Sequence, residues 1–165
     1  MITTAKDEGL VRIVREFNAP REVVFRAWTE PEQLLRWYAP AGCSIHFRTC
    51  DVRPGGHFHS CIVTPEGHEC WCAGEYSEVS PPERLVHTMR VANAAGEFLS
   101  ATEAGMDAAW PDTTILTITF DDLGGRTRLT LCQTVEEALA RRTGAYPSWL
   151  SMFDRLAELV SGTRT

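Results

Sequence analysis

The residues of this 165-residue chain that could do metal chemistry crowd into one segment, residues 57–72. Histidine and cysteine are the side chains that zinc prefers, and four of them can enclose the ion in a tetrahedron. Such residues in this segment are His57, His59, Cys61, His68, Cys70 and Cys72. Whether they form a site depends on whether they share one face of the hairpin that the segment is expected to form.

The hairpin turn at residues 65–67, Pro-Glu-Gly, decides that question. Before the turn, side chains alternate between two faces, as they do on a strand. If the first two turn residues alone form the loop, Cys61 lies opposite Cys70. His59 then lies opposite Cys72 on the same face, and the four side chains could converge.

The other possibility is a turn with one more residue. If Gly67 adopts a left-handed conformation as a bulge, Thr64 pairs with His68, and the extra residue sends the two later cysteines to the opposite face. A type I turn followed by a glycine bulge suits a hairpin better than a bare type I turn, and Pro-Glu-Gly matches the bulged form. We therefore expect split faces, with no metal site and no disulfide across the hairpin.

Other arrangements that support catalysis or cofactor binding do not occur in the sequence. It has no Gly-x-Ser-x-Gly elbow, no glycine-rich loop between a strand and a helix, and no Cys-x-x-Cys pair. His87 alternates with Leu85 and Met89 and is expected to point inward, but no carboxylate is visibly paired with it. A hydrogen-bonded core histidine is the favoured interpretation, so we expect no catalytic residue and no cofactor.

Composition limits the partners that such a chain could have. The net charge of −6 argues against nucleic acid and against an anionic membrane surface, since both reward basic patches. No apolar run approaches the roughly 20 residues that cross a bilayer, and residues 1–7 lack the apolar core of a secretory signal. We expect a cytoplasmic protein with free thiols, in which residues 1–165 form one domain.

The pattern of apolar residues predicts the elements that must position these side chains. A helix begins at Arg21 and ends before Pro31, and a second short helix covers 32–37. A final helix runs from about Tyr146 to Ser161 and is ended by Gly162. Strands are predicted at about 10–17, 43–52, 56–64, 68–79, 84–92, 113–122 and 126–135.

These elements predict an α+β fold. A curved antiparallel sheet would wrap around the long C-terminal helix, because that helix is the only long element able to cover the apolar face of the sheet. The two short helices would close one end. If the sheet does not fill the space around the helix, a ligand cavity results.

Short motifs along nearly the whole chain, residues 10–160, carry a resemblance to a known family. They are Ala19-Pro20, Val24-Phe25, Ala27-Trp28, Trp37 near Pro40, Arg53-Pro54-Gly55-Gly56, Phe58, Pro65-Glu66-Gly67, Gly74-Glu75-Tyr76, Pro81-Pro82-Glu83-Arg84-Leu85-Val86, Thr117-Ile118-Thr119-Phe120, Gly125-Arg126-Thr127, Trp149 and Leu156. With them the chain resembles the START/birch-pollen-allergen superfamily (SRPBCC, helix-grip fold), and within it the group named for activators of the heat-shock-protein-90 ATPase.

The resemblance implies the fold more firmly than it implies the function. Single-domain relatives are regarded as binders of small apolar ligands, which makes non-catalytic binding of a small apolar or planar ligand the expected function. The alternatives are a chaperone-ATPase-activator-like interaction domain, with a chaperone or another protein as its partner, and a cyclase- or hydrolase-like enzyme that uses the same cavity. Monomer and homodimer both stay open.

This chain departs from the family pattern at positions near the expected cavity. Ser148 stands where the family usually has glycine, Ser60 where a larger apolar residue is common, and His87 where an aromatic residue is frequent. The polar group of the ligand would meet His87 or Ser60. The alternation of side chains along the strands and the apolar face of the C-terminal helix predict the residues that line the cavity. They are Phe58, Ser60, Ile62, His87, Met89, Leu116, Ile118, Leu129, Leu131, Trp149 and Phe153.

Residues 93–112 show neither helical nor strand periodicity. A loop of this length is often functional. Because it contains Phe98 and Trp110, we expect it to act as a gate over the mouth of the cavity.

Overall fold

The computed structural model describes residues 9–161, which form seven strands and four helices. In chain order these are β1 Leu10–Phe17, α1 Arg21–Thr29, α2 Pro31–Trp37, β2 Ser44–Cys50, β3 His57–Val63, β4 Glu69–Ser80, β5 Arg84–Val91, β6 Thr113–Asp122, β7 Thr127–Glu136, α3 Glu137–Thr143 and α4 Ala145–Ser161. Every predicted strand and helix is present, with small differences at the boundaries. The predicted helix stop at Gly162 lies outside the described residues.

The strands form one antiparallel sheet in the order β1-β7-β6-β5-β4-β3-β2. The face that we call inner packs against α4, whose buried stripe includes Trp149, Phe153, Leu156 and Val160. α1 packs on β6 and α4, while α2 packs on α4 and β2. The predicted α+β architecture, a sheet covered by the C-terminal helix and two short helices, is confirmed.

The junction of α1 and α2 shows how local chemistry builds the core. The carbonyl of Ala27 would normally accept a hydrogen bond from the backbone N–H four residues later, but that residue is Pro31, which has no N–H. The indole Nε1 of Trp37 donates to this carbonyl instead, at 2.9 Å. The bond joins the two helices and buries Trp37 completely against Trp28, with ring centroids 4.7 Å apart.

Helix α3 was not predicted. It follows β7 without a loop and buries only Leu139 and Ala140, so it is too short for helical periodicity to stand out. Gly144 ends it in the left-handed conformation, with φ of 90°, and Arg141 pairs with Glu137 one turn away at 2.8 Å. Within residues 9–161, no helix has both the length and the apolar character needed to cross a bilayer.

The hairpin turn at residues 65–67 takes the bulged form. Gly67 has φ of +88°, and the Thr64 N–H donates to the carbonyl of His68 at 2.9 Å. Cys61 therefore lies opposite Trp71 rather than opposite Cys70. The prediction that the histidines and cysteines divide between the two faces of the sheet is confirmed.

Candidate functional site

A small cavity lies on the inner face, between the α1–α2 pair and strands β2 to β5. Its volume is about 10 Å³, which is close to the minimum that holds one water molecule. Pockets for small organic ligands are typically about 300–1,000 Å³. The cavity is lined by Trp28, Leu34, Tyr38, Phe47, Phe58, Tyr76, Leu85 and His87.

A close approach of two strands places the aromatic rings of this cavity. Phe58 lies opposite Gly74, and a Cβ atom on Gly74 would lie 2.6 Å from the Phe58 ring and 2.0 Å from the backbone oxygen of Thr88. Only glycine leaves room for this arrangement. The rings of Phe58 and Tyr76 then lie 5.5 Å and 5.2 Å from the imidazole of His87, measured between centroids.

His87 is a neutral histidine with one free nitrogen. Its Nδ1 lies 3.0 Å from the backbone oxygen of Thr88. Because a carbonyl oxygen can only accept, Nδ1 carries the proton and Nε2 carries a lone pair. Burial lowers the pKa of His87 to about 4, so the ring stays uncharged at neutral pH. The side chain can therefore accept one hydrogen bond from a molecule in the cavity.

Trp28 supplies the complementary group. The residue is 1% exposed, and its Nε1 has no hydrogen-bond partner. The two tryptophans packed against Trp28 each have a partner. Trp37 donates to the Ala27 carbonyl, and Trp149 donates to Gln133 at 3.1 Å. A buried N–H without a partner is rare in folded proteins because leaving it unpaired costs free energy. Trp28, a residue that lines the cavity, thus has an unused donor.

The remaining titratable groups at this site are also uncharged. Burial raises the pKa of the phenols of Tyr38 and Tyr76 above their usual range. It also raises the pKa of the nearby thiols, that of Cys50 to about 11 and that of Cys72 to about 12. Protonated thiols are poor nucleophiles. The site offers neutral hydrogen-bonding groups in an apolar wall rather than a charged catalytic pair.

The difference in hydrogen bonding between Trp28 and Trp37 is testable by substitution. Both Trp28→Phe and Trp37→Phe remove a similar volume, but only Trp37→Phe leaves a buried backbone carbonyl without a donor. We expect Trp37→Phe to lower the free energy of unfolding by about 1–2 kcal/mol more than Trp28→Phe does. Urea denaturation of the two variants measures this difference. Equal losses, or a larger loss for Trp28→Phe, would contradict this assignment of hydrogen bonds.

The structure spreads the predicted site residues over several environments. Phe58 and His87 line the cavity, and Trp149 stacks on Trp28 next to it with centroids 6.3 Å apart. Ser60 is buried, whereas Ile62 and Met89 are half-buried beyond the cavity wall. The remaining predicted residues lie in solid core without exposed surface, and they are Leu116, Ile118, Leu129, Leu131 and Phe153.

Sequence reasoning missed six of the lining residues. They are Trp28, Leu34, Tyr38, Phe47, Tyr76 and Leu85. Leu85 could have been predicted, because it lies two residues before His87 on the same strand and therefore faces the same side. Tyr76 is paired with His87 across β4 and β5. Tyr38 follows the last residue of α2, so no periodic pattern reports its direction.

The histidines and cysteines of residues 57–72 form no cluster. On the outer face, Cys61 and Trp71 belong to a separate small apolar cluster, with the ring of His59 5.0 Å from Trp71. Cys70 and Cys72 lie on the inner face. Within residues 9–161, no three His, Cys, Asp or Glu side chains lie close enough together to hold a metal ion.

The 93–112 loop does not place Phe98 over the cavity. Phe98 packs on the guanidinium of Arg90 at 4.0 Å, on the outer face of the sheet. Farther along the loop, Asp107 pairs with Arg142 of α3 at 3.2 Å, and Trp110 packs against the main core without lining the cavity. The predicted cover over the cavity mouth is therefore not formed by these two rings.

A seven-stranded antiparallel sheet that carries a long C-terminal helix, with a small cavity beneath two short helices, defines a helix-grip domain of the SRPBCC superfamily. The model of the family described as "Activator of Hsp90 ATPase homolog 1-like protein" matches residues 18–161. The chain belongs to this family.

Solved structures show the same fold. A protein from Chromobacterium violaceum is 27% identical over 94% of this chain and 99% of its own, with a TM-score of 0.78. A protein from Nitrosomonas europaea is 28% identical over 94% of this chain and 96% of its own, with a TM-score of 0.74. The AHSA1 protein from Silicibacter pomeroyi is 20% identical over 92% and 96%, with a TM-score of 0.72. No curated protein sequence matches this chain.

Proposed function

We propose that this domain binds a small apolar or planar ligand in the cavity between the α1–α2 pair and strands β2 to β5. The observation that carries the proposal is the unpaired indole N–H of Trp28, a residue of an uncharged cavity wall that is rich in aromatic rings. Ligand sites combine such walls with a few convergent polar groups. Buried side-chain donors without a partner are uncommon in folded proteins, and of the two among residues 9–161, Trp28 Nε1 and Arg90 Nε, the first belongs to a residue that lines the cavity.

The cavity must widen when the ligand binds, because its present volume of about 10 Å³ admits only a water molecule. The half-buried Tyr38 and Phe47 lie at the side of the cavity nearest the solvent. Between them, residues 39–43 join α2 to β2. We propose that this segment moves to admit the ligand.

Polar contacts attach that segment to α4. Arg155 donates to the carbonyls of Ala39 and Cys43 at 2.6 Å and 3.4 Å, and the Ala41 N–H donates to the hydroxyl of Ser151 at 2.8 Å. Water can replace hydrogen bonds at a surface at modest cost, whereas separating packed apolar side chains exposes them. Of residues 39–43 only Ala39 is buried, so little apolar surface opposes the movement of this segment.

Native mass spectrometry of protein purified from its own host tests the proposal. We expect a small molecule to be released, and Leu34→Phe to remove it by filling the cavity. Leu35→Phe is the matched control, because Leu35 lies on the same helix but is 48% exposed and does not line the cavity. Equal occupancy of the two variants, or protein that carries no ligand and gains no thermal stability from apolar compounds, would reject the proposal.

The two alternatives that the resemblance implies, a chaperone-interaction domain and a cyclase- or hydrolase-like enzyme, stay predictions. The family description names a chaperone ATPase, but no feature of residues 9–161 points to that partner in particular. The neutral groups around His87 likewise include no carboxylate that would pair with it as an acid–base couple.

A further inference from the structure

We infer that the ligand of this cavity is an uncharged planar molecule whose polar end both accepts and donates a hydrogen bond, as a hydroxyl group does. The inference rests on the proposed binding function and adds the chemical class of the ligand. It follows from three properties of the cavity: an unused donor, an unused acceptor and the absence of charge in its wall.

The unused donor is the Trp28 indole. Its Nε1 is buried without a partner, whereas each of the neighbouring buried indoles of Trp37 and Trp149 has one. An acceptor atom on the ligand would pair this N–H and remove the free-energy cost that the protein bears without it. The polar end of the ligand must therefore include an acceptor.

The unused acceptor is Nε2 of His87. The proton of this ring is held at Nδ1 by the Thr88 carbonyl, 3.0 Å away, and the ring does not take up a second proton near neutral pH. Among residues 9–161, the bond to the Thr88 carbonyl is the only hydrogen bond that the His87 side chain makes. A donor on the ligand would pair the lone pair on Nε2, so the polar end must also include a donor.

The cavity wall contains no charged side chain. None of the eight lining residues is Asp, Glu, Lys or Arg, and His87 is neutral. A charged ligand would lose its hydration without gaining an opposite charge, which is strongly unfavourable. A neutral ligand meets no such cost.

The shape of the ligand follows from the rings around the cavity. Trp28 and Tyr38 approach from the helix side, with centroids 5.8 Å apart. Phe58 and Tyr76 approach from the sheet, with centroids 5.9 Å apart. Aromatic walls on both sides favour a flat molecule that can stack or meet ring edges. The polar end of such a ligand would meet Trp28 and His87, which both line the cavity.

Four related probes test the inference: 1-naphthol, 1-methoxynaphthalene, naphthalene and 1-naphthoate. They share a planar ring system but carry, respectively, a donor–acceptor group, an acceptor only, neither, and a charge. We expect 1-naphthol to bind about fivefold more tightly than 1-methoxynaphthalene and about thirtyfold more tightly than naphthalene, since these probes lack one and two hydrogen bonds, respectively, of about 1 kcal/mol each. The charged 1-naphthoate should bind most weakly.

Two-dimensional NMR of the indole N–H groups reports the contact directly. The chain has five tryptophans, and the cross-peak that Trp28→Phe removes belongs to Trp28. In wild-type protein, 1-naphthol should shift that cross-peak strongly, and naphthalene should shift it only slightly. In His87→Phe, we expect the affinity for 1-naphthol to fall to that for 1-methoxynaphthalene, because the bond from Trp28 remains. The wild-type spectra stay informative if His87→Phe fails to fold. If Trp28→Phe fails to fold, Trp→Phe variants of the other four tryptophans assign the Trp28 cross-peak by elimination.

The outcomes separate the inference from the function on which it rests. Equal binding of 1-naphthol and naphthalene would overturn the inference and leave the proposed ligand site intact. Tighter binding of 1-naphthoate would overturn the claim that the ligand is neutral. Failure of all four probes to move the Trp28 cross-peak at millimolar concentration would overturn the proposed site itself.

Discussion

Lowering the pH from about 7 to about 4 is expected to reduce the stability of this domain by about 3 kcal/mol through one side chain, His87. Burial lowers the pKa of this imidazole from 6.5 to about 4 in the folded state. Between these two values the unfolded chain binds a proton that the folded chain does not bind. The loss is therefore absent above about pH 6.5, grows as the pH falls, and is complete below about pH 4.

Urea denaturation across this pH range, on wild type and on His87→Gln, isolates the effect. The variant should lose less stability than wild type between pH 6.5 and 4, because its amide does not titrate. His68→Gln is the matched control, since His68 is an exposed histidine on the neighbouring hairpin. Parallel curves for wild type and His87→Gln would show that burial of this imidazole does not govern the acid sensitivity of the fold.

Replacing Gly74 with alanine is expected to cost at least about 3 kcal/mol, or to prevent folding. A Cβ atom at this position would lie 2.0 Å from the Thr88 backbone oxygen and 2.6 Å from the ring of Phe58. The ring can rotate away, but the backbone oxygen belongs to the adjacent strand and cannot move without disturbing the sheet. The cost arises at the strand pair that shapes the cavity.

Gly105→Ala is the matched control for that substitution. Gly105 has φ of +77° and nothing within 4 Å of an added Cβ atom, so it tests backbone strain without steric overlap. We expect a loss of about 1–2 kcal/mol there. Circular dichroism followed by urea denaturation compares the variants. A Gly74→Ala protein as stable as Gly105→Ala would show that the sheet adjusts to the extra carbon.

The fold was predictable from sequence because turn chemistry and periodicity agree along most of the chain. The bulged turn at Gly67 illustrates this, since Pro-Glu-Gly by itself predicted the register of β3 and β4. Helix α3 was missed for a physical reason: it buries only two side chains and is stabilised by its contacts and its glycine cap rather than by an amphipathic stripe.

The cavity was much less predictable. The alternation of residues along a strand identifies which side chains face inward. It does not tell which of these side chains pack closely against one another and which border a cavity. Ile118 and His87 share a face, yet only His87 lines the cavity. The gap depends on how far Trp28 and Tyr38 reach from the helices, which is a collective property of packing. The unpaired state of the Trp28 N–H likewise depends on three-dimensional surroundings that no motif encodes.

The one-residue bulge at Gly67 has an evolutionary consequence. Deleting this single codon would leave a two-residue loop and bring His59, Cys61, Cys70 and Cys72 to one face of the hairpin. Histidine and cysteine are side chains that zinc prefers, so the deletion would gather four potential zinc ligands there. The same deletion would turn either Phe58 or Tyr76 away from the inner face, so selection for the cavity would oppose the gain of a metal site.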